Sequence, residues 1–412
     1  MSLLLRHATL IDPAKGTRQV GDLLIREGRI VQAGTSLSPG GARVLEADGL
    51  IAAPGLIDAH VHLRDPGQTY KEDLRSGTAA AAAGGFTTVV AMPNTLPAMD
   101  NAGLLSDLQA RARVQGLVRV RQVGAISRGL AGEALSDFEA LAQAGAVAFS
   151  DDGRPVENGE LMRLALERAA ALGKPVLSHA EELTLPPELA ASESCAVARD
   201  ICLAEQTGCP VHLCHISTAA SVRLIRDAKR AGIPVTAETA PHYFTLSRED
   251  EGCAGNPNAK MNPPLRTPRD RLAVREALAD GTIDLIATDH APHADFEKSL
   301  PFEKAPNGIV GLETALALGI TELVRGGVLT LPMLLSKLST VPARLFGLEG
   351  GSLEPGQPAD LVLFDENEAW TVDPGALHGK SRNTPFGGRR LFGRVRLTLL
   401  AGAVVYRAPL LP

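Results

Sequence analysis

The stretch Gly55-Leu56-Ile57-Asp58-Ala59-His60-Val61-His62-Leu63-Arg64-Asp65-Pro66-Gly67 starts as an apolar strand and ends in a Pro/Gly loop, with two histidines two apart at the changeover. On an extended strand residues i and i+2 project to the same face, so both imidazoles can meet one metal ion. The pattern of an apolar run ending in polar residues recurs downstream. Strands are expected near Leu56–His62, Thr87–Met92, Val118–Ala125, Ala146–Ser150, Val176–His179, Val211–His215, Val235–Thr239 and Ile283–Thr288. Segments with apolar residues near helical spacing separate them, among them Gly103–Gln115, Leu161–Leu172, Ala219–Ala231 and Arg269–Ala279. Strands alternating with helices build parallel βαβ units, and eight of them imply a (β/α)8 TIM-like barrel, whose chemistry sits where strands end and βα loops begin.

Both ends of the chain have a different texture. From Leu3 to about Ala53, and again after Gly350, short apolar segments such as Asp22-Leu23-Leu24-Ile25 and Ala359-Asp360-Leu361-Val362-Leu363-Phe364 are broken by turn residues. We expect residues 54–349 to form the barrel, and residues 1–53 with 350–412 to form one small β-rich accessory domain built from both termini. The chain has 412 residues, 45% hydrophobic and 21% charged, with a net charge of -6. That composition suits a globular protein without a charged tail and argues against nucleic acid as a partner. No apolar run approaches the roughly 18–20 residues of a membrane span, and Leu3-Leu4-Leu5 is too short for a signal-peptide core, so a cytoplasmic location is expected. The five cysteines (Cys195, Cys202, Cys209, Cys214 and Cys253) are odd in number and contain no Cys-x-x-Cys pair, so they are expected to be reduced and unpaired.

Metal-competent residues gather at the same predicted edge of the barrel. Asp151 and Asp152 follow strand four, His179 ends strand five, His215 ends strand six and Asp289 follows strand eight. One polar residue at a strand end is ordinarily a cap or a turn, but His or Asp at five separate strand ends is hard to explain that way. Imidazole with carboxylate suits zinc, and this many ligands suits two ions sharing one carboxylate, about 3.5–4 Å apart.

With the first strand and Ala287-Thr288-Asp289-His290-Ala291-Pro292-His293 in view, the sequence resembles the dihydroorotases of the longer-chain bacterial type, within the amidohydrolase superfamily. Further matches are Ala91-Met92-Pro93-Asn94-Thr95, Phe149-Ser150-Asp151-Asp152-Gly153, His179-Ala180-Glu181, His215-Ile216-Ser217-Thr218, Lys260-Met261-Asn262-Pro263-Pro264-Leu265 and Gly308-Ile309-Val310-Gly311-Leu312-Glu313. The resemblance implies His60, His62 and Asp289 on one Zn2+, His179 and His215 on a second, and Asp152 with a hydroxide as the bridge. Asp151 is then the neighbour of a ligand, and His212, three residues before His215, has a structural role. The resemblance also implies Arg64, Asn94, Asn262 and His293 as substrate contacts, with backbone from Asn307 and Gly308. Arginine offers the bidentate fork that a carboxylate needs. The implied reaction is the reversible closure of N-carbamoyl-L-aspartate to dihydroorotate with loss of water, in pyrimidine synthesis, with Asp289 as general acid/base. A homodimer is the implied assembly, and association with aspartate transcarbamoylase is open.

Two departures stand out. The chain between His179 and Arg199 is shorter than the family pattern, although a helix at Cys195–Gln206 still follows, and Asn307 replaces an expected aromatic or small residue. The competing enzymatic reading is a hydantoinase or allantoinase, relatives that usually bridge their metals through a carboxylated lysine after strand four. Ala148-Phe149-Ser150-Asp151-Asp152 offers no lysine. A non-enzymatic reading, an inactive structural partner of aspartate transcarbamoylase, is disfavoured because all six ligand positions are filled.

Overall fold

The computed structural model describes residues 2–409. Its central feature is a ring of eight parallel strands: Leu56–Val61, Phe86–Ala91, Arg119–Gln122 continued by Gly124–Ala125, Phe149–Ser150, Val176–Ser178, Val211–Leu213, Val235–Thr239 and Leu285–Ile286. All eight lie where the apolar runs predicted them, and the architecture is the expected α/β barrel. The last strand is shorter than Ile283–Thr288 because its end leaves the ladder. The Thr288 N–H donates to Asp58 Oδ1 (3.0 Å) and its hydroxyl to Asp58 Oδ2 (2.5 Å). A carboxylate thus replaces main-chain pairing at the seam between the first and eighth strands. The ring closes one step further on, where His62 N–H donates to His290 O (2.9 Å).

Helices cover the outside. Ala102–Gln115, Gly159–Ala171, Ala219–Arg230 and Pro268–Asp280 start on side-chain caps from Asn101, Asn158, Thr218 and Thr267, which supply acceptors for otherwise orphaned N–H groups. The helix predicted at Cys195–Gln206 is longer, Ala190–Thr207. Its buried Glu193 accepts from the N–H groups of Ser217 and Thr218, so the Ser217-Thr218 half of the His215 motif is a helix start braced by a neighbouring helix. Phe149 is wholly buried and stacks on Phe138 with ring centroids 3.9 Å apart. That packing seats the strand that delivers Asp151 and Asp152, and truncating such a ring to alanine costs about 3–5 kcal/mol.

The two chain ends meet in one sheet. Ile51–Pro54 pairs in parallel with Ser2–Asp12 on one side and antiparallel with Leu361–Thr371 on the other, and Arg390–Leu400 and Ala403–Arg407 extend the C-terminal side. Alternate residues Leu3, Leu5, Leu361 and Leu363 bury into a core of their own, distinct from the barrel's. The five cysteines are all unpaired, with Cys195 and Cys202 exposed.

Candidate active site

The first strand brings His60 and His62 to the C-terminal mouth of the barrel, where the side chains from the other strand ends converge on Asp152. Asp152 Oδ1 lies 3.3 Å from His60 Nε2, 3.5 Å from His179 Nδ1 and 3.4 Å from His215 Nε2, while Oδ2 lies 3.5 Å from His62 Nε2. Asp289 Oδ1 is 3.1 Å from His62 Nε2 and 3.6 Å from His60 Nε2. Two overlapping donor groups result, His60 with His62 and Asp289, and His60 with Asp152 and His215. Every residue of both groups is buried.

This donor set suits cations. His60 Nε2 and Asp152 Oδ1 are buried without a hydrogen-bond partner although they face each other. Unsatisfied buried polar atoms are costly, and a metal ion between them would remove the cost. Burial works against the charge on Asp152, but the surrounding imidazoles hold its carboxyl well below the usual range. Asp289 is likewise lowered against the effect of burial, by His60 and His62. Backbone conformation agrees with a built site. Arg64, His215 and Asp289 have φ of 60°, 38° and 48°, a left-handed region that costs a non-glycine residue roughly 1–2 kcal/mol and that clusters at functional positions.

A cavity of about 200 Å³ opens above the carboxylates, lined by His62, Arg64, Asn94, Asp152, His179, His215, Asn262, Asp289, His293 and Asn307. His60 lies beneath its floor, fully buried. Gly308 stands behind the wall, its N–H donating to Lys260 O (2.9 Å), and a Cβ there would meet His293 Cδ2 at 2.6 Å. Arg64 is buried; its Nε donates to Pro292 O (3.2 Å), and burial lowers its pKa to about 10, so it remains a cation at neutral pH. His293 is pushed down to about 2 by burial and by the charges of Arg64 and Lys71, and is therefore neutral. Its partners define the tautomer: Nε2–H donates to Asn307 O (2.7 Å), and Nδ1 accepts from Lys71 Nζ (3.2 Å).

Asp151 turns away from the cluster and accepts from the Ser127 N–H (2.9 Å) and hydroxyl. His212 lies below, between Thr236 Oγ1 (2.8 Å) and Glu238 Oε2 (3.2 Å). Sequence reasoning assigned no role to four polar residues, although Glu181 stood in the His179-Ala180-Glu181 motif. Glu238 accepts from His60 Nδ1 (2.8 Å). Glu181 pairs with His179 Nε2 (3.1 Å) and accepts from Asn262 Nδ2 (2.9 Å). Lys71 and Asn383 support His293. The signal for Glu238 was present, since a carboxylate inside the apolar run Val235–Thr239 needs a partner; Lys71 and Asn383 lie in loops with no local cue.

A family model described as the amidohydrolase family matches residues 51–405. The chain belongs to the amidohydrolase family. It is 50% identical to a dihydroorotase of Geobacter metallireducens over 426 aligned residues, covering 99% of this chain and all (100%) of the relative. Identity to a dihydroorotase of Geobacter sulfurreducens is also 50%, covering 98% of this chain and 99% of that one. Among solved structures, an L-hydantoinase (dihydropyrimidinase) from Arthrobacter aurescens superposes with a TM-score of 0.90 at 26% identity, covering 98% of this chain and 96% of that chain. A dihydropyrimidinase from Brevibacillus agri gives 0.88 at 26% identity, covering 99% and 95%. The first alignment is 426 residues long against a chain of 412, so that relative carries residues absent here. As an amidohydrolase, the protein is an enzyme that uses a metal cofactor and acts on a small molecule. No helix among the described residues is long and apolar enough to cross a membrane.

Proposed function

We propose that the chain is a zinc-dependent dihydroorotase that interconverts N-carbamoyl-L-aspartate and (S)-dihydroorotate plus water in pyrimidine (UMP) biosynthesis. The observation that carries this assignment is the single cavity in which Asp152, Asp289 and their imidazoles face the buried cation Arg64, in a chain about half identical to dihydroorotases over its whole length. His60, His62 and Asp289 would hold one Zn2+, His179 and His215 a second, with Asp152 between them. When bound, such metals supply a nucleophile at neutral pH and polarise a carbonyl.

The chain's own residues do the rest. Arg64 presents a guanidinium fork to the substrate carboxylate. Asn94 accepts from His62 Nδ1 through Oδ1 (2.8 Å), which leaves its amide N–H groups for substrate. Asn262 supplies a further polar contact, while neutral His293, both of whose ring nitrogens are engaged, presents its ring to the substrate, with the Asn307–Gly308 backbone as the wall behind it. In the hydrolytic direction a water oxygen bonds to the ring carbonyl carbon and the ring C–N bond breaks. Asp289 takes the proton from that oxygen and delivers it to the departing nitrogen; in the synthetic direction the same carboxylate returns it, and water leaves.

The likeness to hydantoinase structures gives the runner-up substrate class, hydantoin or allantoin. Against it stands Asp152, with no lysine, at the end of the fourth strand. The deciding experiment is turnover of dihydroorotate and of N-carbamoyl-L-aspartate, with metal analysis of the same sample. Activity on hydantoin or allantoin and none on dihydroorotate would overturn the assignment. A metal-free, inactive protein that zinc does not revive would favour a structural partner of aspartate transcarbamoylase. A cytoplasmic homodimer, able to associate with that enzyme, completes the proposal, and sedimentation with and without aspartate transcarbamoylase tests it.

A further inference from the structure

The accessory sheet reaches the active site through the connection that follows its strand Leu361–Thr371. Between Leu361–Thr371 and Arg390–Leu400 the chain leaves the sheet and runs across the barrel mouth. Lys380 N–H donates to Glu72 Oε1 (3.2 Å), Ser381 Oγ to Lys71 O (2.8 Å), and Asn383 is buried at 2% exposure. The Asn383 side chain makes three hydrogen bonds, all to two loops of the site. Oδ1 accepts from His293 N–H (3.0 Å), and Nδ2 donates to Ala291 O (3.0 Å) and Gly308 O (2.9 Å), while its own carbonyl accepts from Val310 N–H (3.0 Å).

We propose that Asn383 is a positioning residue for substrate: it locks the Ala291–His293 loop to the Gly308–Val310 loop, so that the accessory segment sets where His293 stands. The proposal rests on the dihydroorotase reading, in which His293 meets substrate and the Asn307–Gly308 backbone forms the wall behind it. Both faces of the imidazole's support pass through the same strap. Asn383 holds the His293 main chain, and Ser381 holds the backbone of Lys71, whose ammonium points at Nδ1 (3.2 Å). Only an amide fits the position, because it must accept from one N–H and donate to two carbonyls. A carboxylate of the same size would set an oxygen against the two carbonyl oxygens.

The test is Asn383→Asp, with the milder Asn383→Ser as a second variant should the first fold poorly, assayed in both directions alongside Tm and metal content. A displacement of about 1 Å in a substrate-holding group can cost on the order of a hundredfold. The expected result is therefore a KM raised by about ten- to a hundredfold for both substrates, a smaller fall in kcat, and metal content equal to the parent protein. Asp12→Asn is the control, since Asp12 accepts from Ser352 Oγ and Leu353 N–H (both 3.1 Å) within the accessory sheet and away from the mouth. It should lower Tm and leave KM unchanged. If KM in both Asn383 variants stays within about twofold of the parent while only Tm falls, Asn383 is merely structural and the proposal fails. If the parent protein turns over neither substrate, the dihydroorotase reading itself fails, an outcome distinct from unchanged KM in an active enzyme.

Discussion

Replacing Glu238 by Gln should loosen the metal centre although Glu238 is not among the proposed ligands. Its carboxylate is 1% exposed and bridges two imidazoles, with His60 Nδ1 at 2.8 Å from Oε1 and His212 Nε2 at 3.2 Å from Oε2. The first contact keeps the proton on Nδ1 and leaves the Nε2 lone pair facing Asp152. Gln has the same shape but only one acceptor and no charge: an NH2 group turned to His60 meets an N–H donor, whereas one turned to His212 is accepted once that ring carries its proton on Nδ1, toward Thr236 Oγ1. A buried donor left unpaired costs about 1–3 kcal/mol, and at about 1.4 kcal/mol per factor of ten that is roughly five- to a hundredfold if His60 bears the loss. Partners of metal-bound histidines commonly contribute about ten- to a hundredfold in metal affinity, so the two estimates agree. Competition for zinc against a chelator of known affinity gives the change directly, and the difference in Tm between metal-loaded and stripped protein should shrink in step. His212→Asn, which leaves the His60 contact intact, should have the smaller effect. An affinity for Glu238→Gln within about twofold of the parent would refute the idea that His60 is held by its buried carboxylate.

Three further outcomes follow from the geometry. Asp289→Ala should lower kcat by at least about 10²–10⁴-fold, the range ascribed to a general acid/base, with far-UV circular dichroism unchanged; substantial residual turnover would remove Asp289 from the proton path. Arg64→Lys keeps the charge but loses the fork, and at about 1.5–3 kcal/mol for hydrogen bonds to a charged group kcat/KM should fall roughly ten- to 150-fold with zinc content intact, whereas an unchanged KM would place the substrate carboxylate elsewhere. Lys337 is buried, donates to Ile283 O (2.7 Å) and is lowered by burial to about 8. The unfolded chain, with a lysine pKa near 10.4, then binds more protons between pH 8 and 10, so this group makes stability rise with pH across that window by up to about 3 kcal/mol. Lys337→Met should flatten that rise in urea midpoints measured at pH 8 and pH 10, and identical slopes would refute it.

How far the sequence could be read depends on how local each signal is. Barrel strands announce themselves because a strand covered on both faces must be apolar along its length, and all eight runs fold as strands. Their ends shift where a side chain takes over the ladder: Asp58 at the eighth strand could not be anticipated, because its partner Thr288 is 230 residues away. Ligand candidates were visible for a related reason. His and Asp are out of place at the ends of apolar strands unless something there needs them, and the structure gathers His60, His62, Asp152, His179, His215 and Asp289 around one point.

The supporting residues were invisible in proportion to their distance from that logic. Glu238 sits within a strand and breaks its apolar character, so it could have been found by asking what neutralises a buried carboxylate. Lys71 and Asn383 sit in polar loops, where Lys and Asn are ordinary residues, and the bonds that give them meaning span 222 and 90 residues. The candidate ligands are thus written strand by strand, whereas His293 is held by Lys71 and Asn383, residues drawn from opposite ends of the chain. That asymmetry suits a superfamily in which one barrel serves many substrates. Loops on the rim can be exchanged without disturbing the strand ends, so differences in substrate between this enzyme and the hydantoinases it superposes on should be sought in the Arg64, His293 and Asn383 loops before the metal-facing strands.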